Sequence, residues 1–289
     1  MSYSVDLGGK NAIVTGASGV IGGALAEALA LSGAGVAMTY NSNPGPVLER
    51  IERLAGKGGR TGRTGGDRRG GRSGVLRGYR VNATQPDQIA AHADEVMRDF
   101  GSIDIVINAA GGHLADSISD PPLTFFDLDP LIMRDNAAFN LFAGCVWPCY
   151  YYGRHMLKNP EGGSIVNISS MNAYRPLRGR ASYAAAKAGV TNFTQWLACH
   201  LARDFNPAIR VNCIAPGFFP GPHNRGIMTN EDGSLAWRGK EIVAMTPMGR
   251  LGRIEDLTGP VLWLVSDASK YVTGTMTPVD GGFTASAGL

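Results

Sequence analysis

A tyrosine and a lysine four residues apart, Tyr183 and Lys187, follow a pair of serines, Ser169 and Ser170, in the stretch from Ser164 to Lys187. On a helix that spacing puts both side chains on one face. The chemistry open to such a pair is proton transfer. An isolated phenol titrates near ~10 and exchanges protons sluggishly at neutral pH. An ammonium one helical turn away favours the phenolate and is expected to bring the group toward working range. Ser170 is then placed to hold the oxygen that Tyr183 protonates. A Tyr and a Lys also stand at this spacing as exposed pairs on many amphipathic helices, so the assignment depends on the elements around them.

Those elements alternate. Ile165 to Ile168 reads as a short apolar strand ending on the serines, and a basic loop then leads into the helix of Tyr183 and Lys187. Upstream, the β-branched run Ala12 to Val14 enters Thr15-Gly16-Ala17-Ser18-Gly19-Val20-Ile21-Gly22 and then a helical stretch from Ala24, which is strand, glycine turn, helix. Glycines there let the backbone turn tightly and approach a pyrophosphate at the positive end of the helix. Val36 to Tyr40 is the second strand, and its end is where a dinucleotide's adenosine ribose is expected. An NAD-preferring site usually has Asp or Glu at that point; here Tyr40, Asn41, Ser42 and Asn43 follow, with no arginine directly after, and the missing carboxylate favours NADP. Further strands are expected at Tyr79 to Val81, Ile103 to Ile107, Ile209 to Ile214 and Thr275 to Val279, with helices at Val47 to Ala55, Phe139 to Tyr152, Thr191 to Leu201 and Ile254 to Ser266. The alternation predicts an α/β fold with a doubly wound parallel sheet. Phe218 to Thr246 is irregular and polar, as a lid over a site would be.

Composition narrows the class. The 289 residues are 44% apolar and carry a net charge of +3, so bulk charge points to neither a nucleic-acid nor a membrane partner. Met1 to Lys10 lacks the basic and apolar regions of a signal peptide, and a cytoplasmic enzyme is the expectation. Cys145, Cys149, Cys199 and Cys213 have no CxxC spacing and read as buried free thiols, without a metal site. Residues 56–78 differ from the rest, with seven Lys or Arg, one Asp and ten glycines. They resemble the Arg-Gly tails of RNA-binding proteins, yet contain no aromatic on which a base would stack. A flexible insertion between a helix and the third strand is expected.

With Thr15 to Gly22, Asn108-Ala109-Ala110-Gly111, Asn167-Ile168-Ser169-Ser170, Tyr183 through Lys187, Pro216-Gly217 and Val279-Asp280-Gly281-Gly282 in order, the chain resembles the short-chain dehydrogenase/reductase family along essentially its whole length. The resemblance implies one Rossmann-like domain over 1–289, a seven-stranded parallel sheet of order 3-2-1-4-5-6-7, a flexible insertion at 56–78 and a substrate lid at 218–247. It implies a homotetramer built through the helices Phe139 to Tyr152 and Tyr183 to Leu201. Carried over by residue, Tyr183 is the general acid/base, Lys187 perturbs it and binds the nicotinamide ribose, Ser170 positions the substrate oxygen, and Asn140 ties Lys187 to a proton-relaying water. The implied NAD(P) contacts are Gly16, Ser18, Val20, Ile21, Gly22, Tyr40, Asn41, Ser42, Asn82, Ala83, Asn108, Ala109, Ala110, Gly111, Tyr183, Lys187, Pro216, Gly217 and Phe219. One departure stands out: the family's common turn has Gly where this chain has Val20, and the glycines at 16, 19 and 22 follow the spacing of the extended, epimerase-like branch. Within the family, residues 170–177, 192–198, 215–219 and 246–250 look most like the D-mannonate oxidoreductase (fructuronate reductase) subgroup.

The expected activity is hydride transfer between a nicotinamide and a small-molecule carbonyl or secondary alcohol. A sugar acid is favoured because His113, Asn172, Arg175 and Arg225, with Arg178 and Arg180, lie on segments expected at one mouth, and guanidiniums suit a carboxylate. A 3-oxoacyl or generic ketone reductase is the alternative enzyme, and a non-catalytic dinucleotide sensor is the alternative of another class.

Overall fold

Short β-branched runs closed by glycine or polar turns form the strands, and amphipathic segments return the chain over one face or the other. The computed structural model describes residues 5–56, 60–61, 74–114, 116–221, 224 and 226–286. In order they form β1 (Asn11–Thr15), α1 (Val20–Leu31), β2 (Gly35–Tyr40), α2 (Gly45–Ala55), β3 (Arg60–Thr61), β4 (Val75–Arg80), α3 (Pro86–Phe100) and β5 (Ile105–Asn108). Then come α4 (Pro130–Ala138), α5 (Trp147–Met156), β6 (Gly163–Ile168), α6 (Ala181–Asp204), β7 (Ile209–Pro216), α7 (Trp237–Met245), α8 (Thr258–Val265) and β8 (Met276–Val279). A π-helical segment, Phe139–Val146, joins α4 to α5 without a break. The strands form one parallel sheet in the order β3-β4-β2-β1-β5-β6-β7-β8. Seven of them take the expected 3-2-1-4-5-6-7 order, and the two-residue β3 adds an eighth at the edge.

Both faces of the sheet are covered, which is why its strands are apolar at consecutive positions instead of alternating. Val14, Val36, Ile105 and Val166 meet Leu25 and Leu29 of α1, Leu54 of α2 and Leu264 of α8. Their strand neighbours Ile13, Ala37, Val106 and Ile165 point the other way, to Ile89 and Val96 of α3, Tyr152 of α5 and Leu197 of α6. On α3 the buried Ile89, Ala93 and Val96 recur at helical spacing, Pro86 starts the helix and Gly101, at φ +83°, ends it.

Three expectations need correction. The third long strand begins at Val75 and not Tyr79, so part of the expected insertion belongs to the sheet: Leu76 pairs with Val36 and Arg77 with Ala37. Arg77 is half-buried and pairs with Asp99 of α3, while Gly78, pointing to the other face, leaves room for Val47 of α2. Residues 57–59 and 62–73 of the expected insertion lie outside the described residues. The helix expected over Phe139 to Tyr152 is the later part of one run from Pro130 to Met156. Cys145, Cys149 and Cys213 are buried free thiols as expected, but Cys199 faces outward from α6.

The second core layer contains a titratable group. His92 on α3 is 2% exposed, its Nδ1 lies 2.9 Å from the Tyr152 hydroxyl, and its Nε2 is buried with no hydrogen-bond partner among the described residues. Burial pushes its pKa down from 6.5 to about 4, with Asp99 opposing the shift weakly. Because the folded value is the lower one, the unfolded chain takes up more protons below about pH 6.5. The contribution is therefore complete above that pH and is lost as pH falls toward about 4. Between pH 7 and about pH 4.5 the wild type is expected to lose roughly 2.5 kcal/mol more than His92→Phe, read from urea unfolding at both values. Parallel losses in the two proteins would show that His92 does not carry the acid sensitivity.

Candidate active site

The expected acid stands where a strand end and a helix start meet. Ser170 follows β6, is buried, and its Oγ accepts from the Asn172 backbone amide at 3.2 Å. Tyr183 lies in the first turn of the alanine-rich α6, with its hydroxyl beside that of Ser170. Lys187, one turn on, is 4% exposed; its Nζ donates to Ile168 O at 2.8 Å and sits 5.5 Å from the centre of the Tyr183 ring. Burial lowers the ammonium to about 8. The same burial raises the Tyr183 phenol above its ordinary value, and the Ser170 hydroxyl beside it recovers only part of the rise. The expectation that Lys187 brings the phenol down is therefore corrected. Desolvation acts on the phenolate more strongly than an ammonium that is aimed at the ring and at a strand carbonyl.

Asn140 lies close by and is engaged through its side chain. It is fully buried at the start of the π-helical segment, and its carboxamide grips one peptide unit on each side. Its Nδ2 donates to Gly112 O at 2.7 Å and to Asn136 O at 2.9 Å, while its Oδ1 accepts from Gly112 N at 3.0 Å. One turn earlier Asn136, equally buried, accepts from Leu114 N at 3.0 Å and donates to Ser182 Oγ at 2.9 Å. His113, between the two anchored residues, is exposed and tilts its ring against Tyr183 with centroids 4.4 Å apart. No local pattern marks Asn136 in the sequence, because its partners are distant in the chain.

The residues expected to meet a dinucleotide gather at the carboxyl ends of the parallel strands, where such folds bind ligands. The turn after β1 is tied to β2 by Gly16 N to Thr39 Oγ1, 3.2 Å, and Ala17 N to Thr39 O, 2.9 Å. Gly16 has φ +65°, and a Cβ on Gly22 would lie 2.4 Å from Gly16 O, so only glycine lets the turn close onto α1. Ser18 lies in that turn, and Val20 and Ile21 open α1, whose N-terminus has no side-chain cap to cover its amides. This glycine cradle at an open helix N-terminus fits a pyrophosphate. Thr15 Oγ1 accepts from Ala109 N at 3.0 Å and Ala110 N at 3.1 Å, which fixes the second loop, with Gly111, against the first. Asn108 itself is buried and donates to Asn167 Oδ1 at 2.8 Å, so its side chain serves the sheet.

Tyr40 ends β2 and Asn41 and Ser42 follow it. The arginine absent from that sequence arrives from the neighbouring strand: Arg80 is in register with Tyr40 and donates Nε to Asn41 O at 3.2 Å. Asn82 and Ala83 follow β4, where the Asn82 carboxamide oxygen accepts from Thr84 N and Oγ1. Past β7, Gly217 N bonds Val279 O at 2.9 Å, and Phe219 is buried against Gly252. A cavity of about 340 Å³ lies between Phe218, Phe219, Met248 and Asp280; none of Asn140, Ser170, Tyr183 or Lys187 lines it.

The arginines divide. Arg180 makes a bidentate pair with Asp120 at 2.8 and 3.0 Å, and Arg238 of α7 lies 3.9 Å from the same carboxylate. These guanidiniums, the Arg180 hydrogen bond foremost, hold Asp120 below its ordinary range. Arg175 is exposed and donates to Ser286 O at 2.7 Å, and Arg178 is exposed beside it. Asn172 is buried and accepts from Leu177 N at 2.7 Å, closing the loop that carries both. Arg225 lies outside the described residues. Among the described residues no group of His, Cys, Asp or Glu is placed to hold a metal, and no helix is long and apolar enough to cross a membrane.

A family model described as enoyl-(acyl carrier protein) reductase matches residues 16–284. An uncharacterized oxidoreductase, UxuB, of Bacillus subtilis is 35% identical over 294 residues, which cover 98% of each chain. A 3-oxoacyl-[acyl-carrier-protein] reductase of Haemophilus influenzae is 32% identical over 280 residues, 95% of this chain and 98% of that one. Among solved structures, a Haemophilus influenza protein provisionally assigned as a D-mannonate oxidoreductase, with bound NAD, superposes with a TM-score of 0.85 at 33% identity over 98% of both chains. A gluconate 5-dehydrogenase from Burkholderia cenocepacia, in complex with NADP and tartrate, gives 0.80 at 26% identity over 98% of both.

Proposed function

The chain belongs to the short-chain dehydrogenase/reductase family and is an NAD(P)-dependent oxidoreductase acting on an alcohol or keto group; from that premise we propose that it interconverts a keto-sugar acid and its secondary alcohol, with Tyr183 as the acid. The observation that carries this reading is the placing of Tyr183 beside Ser170 and one helical turn from the buried Lys187, whose Nζ lies 5.5 Å from the Tyr183 ring centre. Two hydroxyls meeting at one point can hold a carbonyl oxygen and deliver its proton. When bound, the nicotinamide supplies or accepts the hydride. Tyr183, its pKa raised by burial, keeps its proton through the neutral range and is suited to donate it to the oxygen formed on reduction. Lys187 keeps its charge below about 8 and is placed to hold the nicotinamide ribose. Gly16 to Gly22 would seat the pyrophosphate.

Reduction at subsaturating cofactor is accordingly expected to be level below about pH 8 and to decline above it as Lys187 loses its proton, which a pH–rate profile measures. A profile still level past pH 9 would remove Lys187 from ribose binding. The exposed guanidiniums Arg175 and Arg178 and the His113 imidazole support an anionic, oxygen-rich substrate. The gluconate and mannonate names among the similar structures accord with it. NADP is favoured over NAD because no carboxylate follows Tyr40 and Arg80 reaches Asn41. The aromatic surface of the α4–α5 run and α6, with Phe142, Tyr150 and Trp196 exposed, supports assembly as a tetramer. The Arg238–Asp120 contact supports 218–247 as a lid.

A panel of sugar acids, polyols and acyl ketones, each with NADH and NADPH and followed at the nicotinamide absorbance, tests the reading. Fastest turnover of a keto-sugar acid with NADPH is expected. Activity confined to acyl or neutral ketones would replace it with the 3-oxoacyl or generic ketone reductase alternative, which the 32% identical relative keeps in view.

A further inference from the structure

We infer that Arg50 of α2 is a positioning residue for the dinucleotide, its guanidinium fixing the Ala17–Ser18 peptide so that the Ser18 amide is presented to the pyrophosphate. This rests on the reading that Gly16 to Gly22 seat that group. Arg50 Nη1 donates to Ala17 O at 3.2 Å and to Pro46 O at 3.1 Å, so one nitrogen ties the turn after β1 to the first turn of α2. The carbonyl and the N–H of a planar trans peptide point opposite ways. With Ala17 O held toward α2, the Ser18 N–H faces away from it, and that amide makes no hydrogen bond among the described residues. Ala17 is held from its other side as well, its own amide donating to Thr39 O at 2.9 Å. The helix beside the turn makes room for the side chain. Glycine inside a helix is unfavourable, and Gly23 of α1 is in ordinary helical backbone, without the positive φ that would require it. A Cβ there would lie 2.5 Å from Arg50 Cζ and 2.7 Å from Nη1, so the missing methyl is what lets the guanidinium lie against the start of α1. The charge is incompletely matched. Arg53 takes both oxygens of Glu27 at 2.5 and 2.6 Å, whereas Arg50 Nε stands 4.0 Å from that carboxylate, buried with no hydrogen-bond partner among the described residues. Arg50 thus adds positive charge behind a turn whose ligand is an anion.

The seat and its occupant can be removed separately, which makes a double-mutant cycle the discriminating experiment. Binding of NADPH and of ADP, which share the diphosphate, is measured by isothermal titration for the wild type, Arg50→Met, Arg50→Lys, Gly23→Ala, the Gly23→Ala/Arg50→Met double variant and Gly22→Ala. Arg50→Met keeps the packing of the stem and is expected to weaken both ligands about tenfold, as loss of a hydrogen bond from a charged group implies. Arg50→Lys, which keeps the charge without the planar fork, is expected to recover part of that loss. Gly23→Ala leaves Arg50 in the chain but displaces its guanidinium, and it is expected to match the tenfold loss. The double variant is expected to lose about tenfold and not a hundredfold, because the methyl then occupies space the guanidinium has left. Unchanged affinity in Arg50→Met with binding lost in Gly22→Ala would overturn the inference and leave the pyrophosphate on the turn. Unchanged affinity in both would overturn the inference together with that reading. An additive, hundredfold loss in the double variant would show that Gly23 acts apart from Arg50, and would overturn the inference too.

Discussion

Tyr183→Phe is expected to lower turnover by two or more orders of magnitude, about the loss that follows removal of a positioned general acid. The substitution keeps the ring, and with it the contacts to His113 and Lys187, and deletes only the hydroxyl that meets Ser170. Nicotinamide affinity, measured by fluorescence titration, is expected to stay within about twofold, because the loss is one hydroxyl while Lys187 and the glycine turn, which would hold the ribose and the pyrophosphate, are kept. Both kcat and kcat/KM should fall together, the pattern of an interaction made in the transition state. A variant that kept more than about a tenth of wild-type turnover would mean that the proton comes from another group, and the assignment of Tyr183 would have to be abandoned.

Gly22→Ala is expected to weaken dinucleotide binding by about a hundredfold or more, about 2.8 kcal/mol at 1.4 kcal/mol per decade. The added methyl would come within 2.4 Å of Gly16 O and 2.9 Å of Gly16 C. Both are backbone atoms of a turn already fixed by Thr39, so the turn must open and carry its amides out of register with the phosphates. Gly153→Ala on α5 supplies the control, since a methyl there meets nothing within 4 Å. It should bind the dinucleotide normally and gain about 0.5–1 kcal/mol in stability from the smaller backbone entropy loss. Isothermal titration and thermal melts of the two variants measure both effects. Unchanged affinity in Gly22→Ala would show that the pyrophosphate does not rest on this turn.

The strands and the chemistry-bearing residues were legible because each is a local pattern. Ile105 to Ile107 or Ile165 to Ile168 need no partner to look like buried strands, and a glycine turn between a strand and a helix announces itself. What escaped depends on partners distant in the chain. Val75 to Gly78 look like the end of a basic insertion until Val36 to Met38 are placed beside them. Asn136 looks like any polar helix residue until Leu114 and Ser182 arrive. The direction of the Tyr183 shift was misread for a related reason. Spacing shows that an ammonium is near, but only the fold shows how much water has been removed from the phenol. Arg180 and Arg175 were recognised as a basic mouth, while their engagement with Asp120 and Ser286 was invisible without the loop geometry.

The π-helical segment Phe139–Val146 works as a phase adjuster between two readers of one helix. Ahead of it, Asn136 is timed to the cleft; behind it, Cys149, Tyr152 and Met156 are timed to the sheet. Each residue of an α-helix advances the face by about 100°, so a single deletion inside the segment would turn one reader by roughly that angle while leaving the other in place. Substitutions along this rod can be absorbed one at a time, but changes of length cannot, and the descent of the chain should preserve the number of residues between Asn136 and Tyr152 more strictly than their identity.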